Sequence, residues 1–548
     1  MTIFTGTLDP DTADAGNGIL VGFTGGSVGE LQDAISDTFL GDADNDTIIA
    51  GSGDDILNGG TAPDILDGRD GSDIYDFNNG DLGTGELITD TGSVGTDAIR
   101  LLGTNLNFQV PAPTISGIEA LIFTTEQSVL FGASQLPASL AVTGVNGDLQ
   151  EFTINDASVF SAAAWTFTAW NNAEDFISIN GTSAGDAIAG TSQNDSIGGA
   201  TGADILDGAG GSDTYNFFAG DADGDLIIDS GTSGTDTLRI AFGDVDFTAA
   251  TTIAGIEALL FTGVNRATFN AAQLPGNFAV TGHDGDSQIL DIRNAANFSA
   301  AGFTFTDWEA ADPILIGGTD AADTITGSSQ RDDIEGGDGD DILSGGLGDD
   351  EIEGGAGNDT ASYADGAGVT VSLAIIGTQD TLGAGVDDLT EIENLIGSAL
   401  GIDSLTGDGL ANVLSGLGGN DTLIAGAGID TIIGGGGKDT MTGEADADVF
   451  DFNLKGESKK GANRDIITDF VRGEDTIDLS DIDAKNGSGN QKFKFIGKND
   501  FHDIARELHY VKKNGFVFVE GDTNGDGRAD FQIKVDDLGK VTVGDFDL

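Results

Sequence analysis

Aspartates recur in this chain at a fixed interval of nine. Asp323, Asp332, Asp341, Asp350 and Asp359 form one run. Asp403, Asn412, Asp421, Asp430, Asp439 and Asp448 form another, with one asparagine. Shorter runs lie upstream at Asp46, Asp55, Asp64 and Asp73 and at Asp186, Asp195, Asp204 and Asp213. Asp37 with Phe39 reads as a degenerate first member. Two residues after each aspartate of the long runs stands an apolar residue: Ile325, Ile334, Leu343, Ile352 and Ala361, then Leu405, Leu414, Leu423, Ile432, Met441 and Phe450. Glycines come before, as in Gly336-Gly-Asp-Gly-Asp-Asp-Ile-Leu-Ser344. Glycines permit tight turns that aim carbonyls inward, the carboxylate is a hard anionic ligand, and the apolar residue starts a strand facing an interior. Two nonapeptides make one coil, which stacks each aspartate on the one two repeats later, about 4.8 Å away. Carboxylates and carbonyls of adjacent turns then enclose a cation. Six or more oxygens at roughly 2.3–2.6 Å suit Ca²⁺, whereas Mg²⁺ demands stricter octahedral geometry and keeps its water. Without cations the stacked aspartates repel, so the chain is expected to be unfolded without metal and folded with it. A solvated linker has no reason to keep the apolar eighth position.

Composition points the same way. The 548 residues include 22 Lys and Arg against 93 Asp and Glu, a formal charge of −71. Such self-repulsion disfavours a compact state unless counterions are bound at fixed sites. Disorder fits poorly, because 39% of residues are hydrophobic and fall in strand-like runs. Nucleic acid is excluded as a partner, since no basic stripe exists. There is no cysteine, so disulfides do not hold the fold. The N-terminus lacks the basic and apolar regions of a Sec-type signal peptide, and no stretch of about 18 apolar residues forms a membrane span.

A longer period overlies the nonapeptides. Asp64-Ile-Leu-Asp-Gly68 recurs as Asp204-Ile-Leu-Asp-Gly208, and Gly117-Ile-Glu-Ala-Leu-Ile-Phe-Thr124 recurs as Gly255-Ile-Glu-Ala-Leu-Leu-Phe-Thr262. Residues 41–180 and 181–316 therefore read as tandem copies, each a nonapeptide run followed by short apolar strands broken by Gly, Asn and Asp. Residues 1–40 form an N-terminal segment suited to docking or anchoring, and 317–451 the long nonapeptide region. Of the 22 basic residues, 16 lie from Lys438 onward, which marks a separate C-terminal module over 452–548.

Gly336 to Ser362 and Gly416 to Thr442 resemble the RTX family of calcium-binding nonapeptide proteins. The resemblance covers all four runs and implies that the aspartates named above, Asn412 in its run, and turn carbonyls are the Ca²⁺ ligands. Some repeats depart from the pattern and are expected to hold metal weakly or not at all. Gly59-Gly-Thr-Ala-Pro-Asp64 gains Pro63, while Gly190-Thr-Ser-Gln-Asn-Asp195 and Gly327-Ser-Ser-Gln-Arg-Asp332 lack the fourth-position glycine. Ala447-Asp-Val-Phe-Asp-Phe452, Arg464-Asp-Ile-Ile-Thr-Asp-Phe470 and Gly473-Glu-Asp-Thr-Ile-Asp-Leu479 are similar to the C-terminal region of serralysin-type RTX proteins. That similarity implies an uncleaved C-terminal signal, a type I secretion apparatus as partner, and folding outside the cell. Asp522, Asn524, Asp526 and Asp530 around Gly527 also mimic the start of an EF-hand loop, although Ile533 stands where the bidentate Glu belongs.

No recognised catalytic constellation emerges. His283, His502 and His509 are the only histidines and form no His-Glu-x-x-His. Gly25-Gly-Ser27-Val-Gly29 and Gly181-Thr-Ser183-Ala-Gly185 match Gly-x-Ser-x-Gly, but neither sits between a strand and a helix. Gly434-Gly-Gly-Gly-Lys438 lies inside a calcium repeat. The fold class expected is all-β and elongated: calcium-binding parallel β-roll or β-helix segments with intervening β-strand stacks. The function expected is non-enzymatic, a secreted surface protein that associates with other copies of itself as a surface layer or extracellular fibre. These features resemble type-I-secreted surface-layer proteins. The alternatives are an adhesin that binds a cell-surface glycan or another cell surface, and a secreted carbohydrate-active enzyme.

Overall fold

The eighteen-residue coil is realised directly. In a computed structural model, the structure describes residues 2–6, 11–16, 19–26, 31–110, 112–285, 287–485, 490–536 and 539–548. Their regular structure is β-strand, two to seven residues long, with short 3-10 turns between. Contacts divide them into one unit of Met1–Ala267 with Ala279–Asp286 and a second of Thr268–Phe278 with Ser287–Leu548. Both units are parallel β-solenoids.

In the first unit, strands Thr38–Leu40, Ile56–Asn58 and Ile74–Phe77 stack in parallel with Thr38 opposite Ile56 and Ile56 opposite Ile74. Strands Thr47–Ile49 and Ile65–Asp67 build the facing sheet, with Ile48 opposite Leu66. Three residues suffice for each strand because only the middle one enters the core: Phe39, Ile48, Leu57 and Leu66 have no exposed surface. The turns are tight for a steric reason. A side chain at Gly437, where φ is +155°, would lie 1.4 Å from the carbonyl oxygen of Gly419 one coil earlier. At Gly437, glycine lets the turn nest on its neighbour at the strand spacing.

The apolar segments between the nonapeptide runs continue the same solenoid with longer coils. Ile74 pairs with Ala98 and Ala98 with Ala120, so the repeat widens from 18 to 24 and then 22 residues. The wider bore is filled by aromatic rings. Phe108 stacks on Phe131 at 4.3 Å, Phe131 meets Phe152 edge-on at 5.8 Å, and Phe152 stacks on Trp165 at 5.5 Å. The coil narrows again at the second run, where Ile179 sits opposite Ile197. The intervening strand stacks are thus enlarged coils on the same sheets.

In the second unit Ile325, Leu343 and Ala361 share one sheet. Leu405, Leu423 and Met441 share another, and Leu414, Ile432 and Phe450 continue the first. All of these side chains are buried. The parallel order then changes. Ile467 pairs in parallel with Val535, and Glu507–Lys513, Phe516–Asp522 and Phe531–Val535 form an antiparallel meander beside it. Such a meander covers a solenoid end that would otherwise offer open backbone groups. No helix among the described residues is long and apolar enough to cross a membrane.

Each core side chain is held between those of the coils above and below, as Ile432 is between Leu414 and Phe450, so a cavity has little room to relax. Ile432→Ala in calcium-loaded protein is expected to cost about 2–5 kcal/mol, read as a lowered denaturant midpoint with unchanged slope.

Candidate calcium sites

Each nonapeptide aspartate uses its two oxygens differently. Beyond the opening coil of a run, Oδ1 accepts the backbone N–H of the same position one coil earlier. Asp46 donates to Asp64 at 2.7 Å, Asp195 to Asp213 at 2.7 Å, Asp323 to Asp341 at 2.7 Å and Asp421 to Asp439 at 2.9 Å, always across 18 residues. The bond also joins Asp55 to Asp73, Asp186 to Asp204, Asp332 to Asp350, Asp341 to Asp359, Asp403 to Asp421, Asn412 to Asp430 and Asp430 to Asp448. It runs up both edges of each roll beside the strands.

Oδ2 divides the positions into two kinds. In Asp46, Asp64, Asp73, Asp204, Asp213, Asp341, Asp350, Asp359, Asp421, Asp430, Asp439 and Asp448 it is buried and has no hydrogen-bond partner. In every one of these turns the residue four places earlier has positive φ: Asp42, Gly60, Arg69, Ala200, Ala209, Gly337, Gly346, Gly355, Leu417, Gly426, Gly435 and Glu444. Elsewhere the socket is closed from within the protein. Thr191 donates its N–H to Asp195 Oδ2 at 2.6 Å and its hydroxyl to the same oxygen at 3.0 Å. Ser328 does likewise to Asp332 at 2.7 and 3.0 Å, leaving only Oδ1 of Asp332 without a partner. Thr182 closes Asp186, Thr319 closes Asp323, and Ser398 closes Asp403. Asp55 takes the N–H of Gly51 at 3.3 Å. Asn412 accepts from Asp408 N–H and donates to the Glu393 carbonyl. A left-handed residue four places before the aspartate rotates its peptide N–H away; a serine or threonine in ordinary conformation presents two donors.

A buried anionic oxygen with no donor is costly, by several kcal/mol when uncompensated. The open positions therefore fit a hard cation such as Ca²⁺, which would supply the missing charge at those oxygens. Burial pushes these carboxyls up from 3.8, to about 8 for Asp73, about 7 for Asp64, Asp213, Asp350, Asp421 and Asp448, and about 6 for Asp46, Asp204 and Asp439. Neighbouring aspartates of the same stack add to the rise at most of these positions. The degenerate repeats thus part company. The turn before Asp64 keeps an open socket despite Pro63, with Ala62 taking φ of +142° in the glycine place. The turns before Asp195 and Asp332 are the closed kind.

The ladder also recruits acids that the eighteen-residue coil does not reveal. Asp64 N–H donates to Glu86 Oε2, Asp73 to Asp97, Asp97 to Glu119, Asp204 to Asp225, Asp213 to Asp236 and Asp236 to Glu257. In the second unit Asp350 donates to Asp387, Asp359 to Glu393, Asp439 to Asp465 and Asp448 to Asp475. Glu86, Asp225 and Asp465 each keep one buried oxygen without a partner. Their sequence signal is an acid two residues before a buried apolar residue, as in Glu86-Leu-Ile88 and Asp465-Ile-Ile467.

The EF-hand-like loop is arranged differently. Asp522 accepts the N–H groups of Asn524, Gly525 and Gly527. Asp530 accepts from Thr523 and from the Asn524 side chain, and Asp526 from Arg528 N–H. These bonds within the loop occupy carboxylate oxygens of all three aspartates. The histidines of the same module face acids: His502 pairs with Glu507 at 2.9 Å and His509 with Glu520 at 3.0 Å. Ser183 lies in the turn closed by Thr182, and Ser27 lies outside the described residues.

The model of the RTX calcium-binding nonapeptide repeat (4 copies) matches residues 33–66, 51–81, 180–215, 317–352, 326–361 and 336–369. The model of the peptidase M10 serralysin C terminal matches residues 402–546. No curated protein matches the chain. Among solved structures, the AlgE6R3 subunit of the Azotobacter vinelandii mannuronan C5-epimerase is 22% identical, with a TM-score of 0.21, over 27% of this chain and 77% of that one. Extracellular lipase LipA from Serratia marcescens is 19% identical, with a TM-score of 0.16, over 48% of this chain and 45% of that one. The aligned part thus spans less than half of the lipase.

Two outcomes follow from the two kinds of socket. Asp421→Asn is expected to lower the calcium bound per chain, measured by metal analysis after gel filtration, whereas Asp195→Asn leaves it unchanged. The second outcome concerns pH. The folded carboxyls are raised above 3.8, so the metal-free fold holds protons that the unfolded chain releases. Their contribution to stability is full below about pH 4 and is lost as pH rises through 6 to 8. In EGTA, circular dichroism should show more strand at about pH 5 than at about pH 8, and calcium should restore it at the higher pH.

Proposed function

For a calcium-binding RTX protein exported by a type I route, we propose a structural role at the cell surface, in which calcium-folded copies of this chain associate into a layer or fibre. The observation that supports association is an acidic strand face in the second unit. Asp333 lies directly opposite Glu351, Glu335 opposite Glu353, and Glu351 opposite Asp388. Like charges opposed across a sheet are destabilising. Arg331 reaches Glu351 at 3.6 Å, and Glu335 and Glu353 face solvent as a pair. Glu353 is raised by burial and then by Glu335. Divalent cations bridging this face to acids of a neighbouring copy relieve that repulsion and join the copies. Under this reading the open nonapeptide positions hold the internal calcium, residues 41–316 and 317–451 form the scaffold, and residues 452–548 serve export.

The test is electron microscopy of purified protein in millimolar calcium beside an EGTA control, with a Glu335→Gln/Glu353→Gln variant. Sheets or fibres that need calcium, and that the variant loses while its circular dichroism still responds to calcium, are the expected result. Discrete particles at high concentration in calcium would sink the assembly reading and favour the adhesin, to be followed on a glycan array.

A further inference from the structure

The two short nonapeptide runs end in the same unexplained arrangement. Where the first run gives way to wide coils, Asp73, Asp90 and Asp97 bring three carboxylate oxygens within 4.8 Å of one another. One tandem copy later Asp213, Asp229 and Asp236 do the same. Only Asp73 and Asp213 belong to nonapeptides. The other four lie in the following turns, Asp90-Thr-Gly-Ser-Val-Gly-Thr-Asp97 and Asp229-Ser-Gly-Thr-Ser-Gly-Thr-Asp236.

Each triad contains a buried oxygen that the protein leaves without a partner. Asp73 has no exposed surface and Asp213 is 1% exposed, and Oδ2 of both is unpartnered. Oδ1 of Asp229 is a second such oxygen in the second copy. The remaining oxygens are fixed by the scaffold. Oδ1 of Asp73 takes the Asp55 N–H at 2.6 Å, and Oδ1 of Asp97 takes the Asp73 N–H at 2.8 Å. Asp90 accepts the Gly92 N–H at 2.8 Å and lies 3.0 Å from the hydroxyl of Tyr75, which itself accepts the Gly68 N–H. In the second copy a side chain at Gly208 would strike both Asp213 Oδ2 at 2.2 Å and the Tyr215 hydroxyl at 2.7 Å, so the orphan oxygen faces the tyrosine corner. The charged groups that act on Asp73 and Asp213 are other carboxylates.

We propose that Asp73, Asp90 and Asp97, and their counterparts Asp213, Asp229 and Asp236, each hold one Ca²⁺ in a three-carboxylate site that closes the nonapeptide run before it. Inside a run, a socket borrows carbonyls from the next nonapeptide turn. At the end of a run the next coil is 24 or 23 residues long, and its turn brings two further carboxylates, Asp90 and Asp97 or Asp229 and Asp236, to the run's last aspartate. Calcium affinity rises with the number of charged ligands. These two ions are therefore the last to leave on chelation. Tyr75 and Tyr215 act as positioning groups, holding the corner through backbone bonds at Gly68 and Gly208.

The test uses the full chain in calcium. Asp90→Asn/Asp229→Asn is compared with the parent for calcium retained after passage over a chelating resin, and two fewer ions per chain are expected in the variant. Tb³⁺, a calcium-sized probe, is titrated in parallel with excitation through tyrosine. The parent should show an early, tightly saturating emission that Tyr75→Phe/Tyr215→Phe removes, with a smaller loss of retained calcium than the two ions lost in Asp90→Asn/Asp229→Asn. That second variant keeps all six carboxylates and guards against misfolding of the first. Equal calcium retention in parent and Asp→Asn variant, with no early tyrosine-excited emission, would overturn the proposal and leave a proton shared among the carboxylates as what neutralises each triad.

Discussion

The hydrogen bond from one aspartate's backbone N–H to the next coil's Oδ1 constrains everything else in the structure. Beyond the opening coil of a run it occupies one oxygen of each stacked nonapeptide carboxylate and fixes its side chain against the turn. The other oxygen is left in a place water does not reach. A buried anion must be matched by donors or by a cation. The chain uses both answers, and the backbone conformation four residues earlier selects between them. With Thr191 or Ser328 in ordinary conformation the protein supplies the donors. With Gly435 or Leu417 at positive φ the donor turns away and the oxygen waits for metal.

This selection is patterned along the chain. The second, third and fourth runs each open with two positions closed by the protein, Asp186 and Asp195, Asp323 and Asp332, Asp403 and Asn412. The open positions follow. These three runs therefore begin on a coil whose inner carboxyl or amide groups take donors from the protein, and the open positions stack on that base. In a fold where each coil contacts only its neighbours, a metal-independent first coil gives the later ones a surface on which to order.

The widened coils show how the same backbone bond survives a change of period. Glu86, Asp97 and Asp225 carry the ladder across coils of 22, 24 and 21 residues. The bore grows at the same places and phenylalanines replace isoleucine and leucine in it. Size of core residue and length of coil vary together in these segments, while the backbone bond to an acid is kept.

The repeat, the inward apolar positions, the calcium chemistry and the secretion-type C-terminus were legible in the sequence, because each is a property of residues nine or eighteen apart or of a contiguous motif. Asp341 over Asp359 and Leu423 under Met441 could be placed by counting alone. Counting could not place Glu86, Asp97 or Asp465, whose partners lie 22, 24 and 26 residues away. Nor could it tell the open turn before Asp64 from the closed turn before Asp195, since both depart from the glycine pattern. Period is fixed locally by residue type. Whether a carboxylate oxygen ends beside a donor, a second carboxylate or nothing depends on which turn the neighbouring coil brings against it, and only the stacked structure decides that.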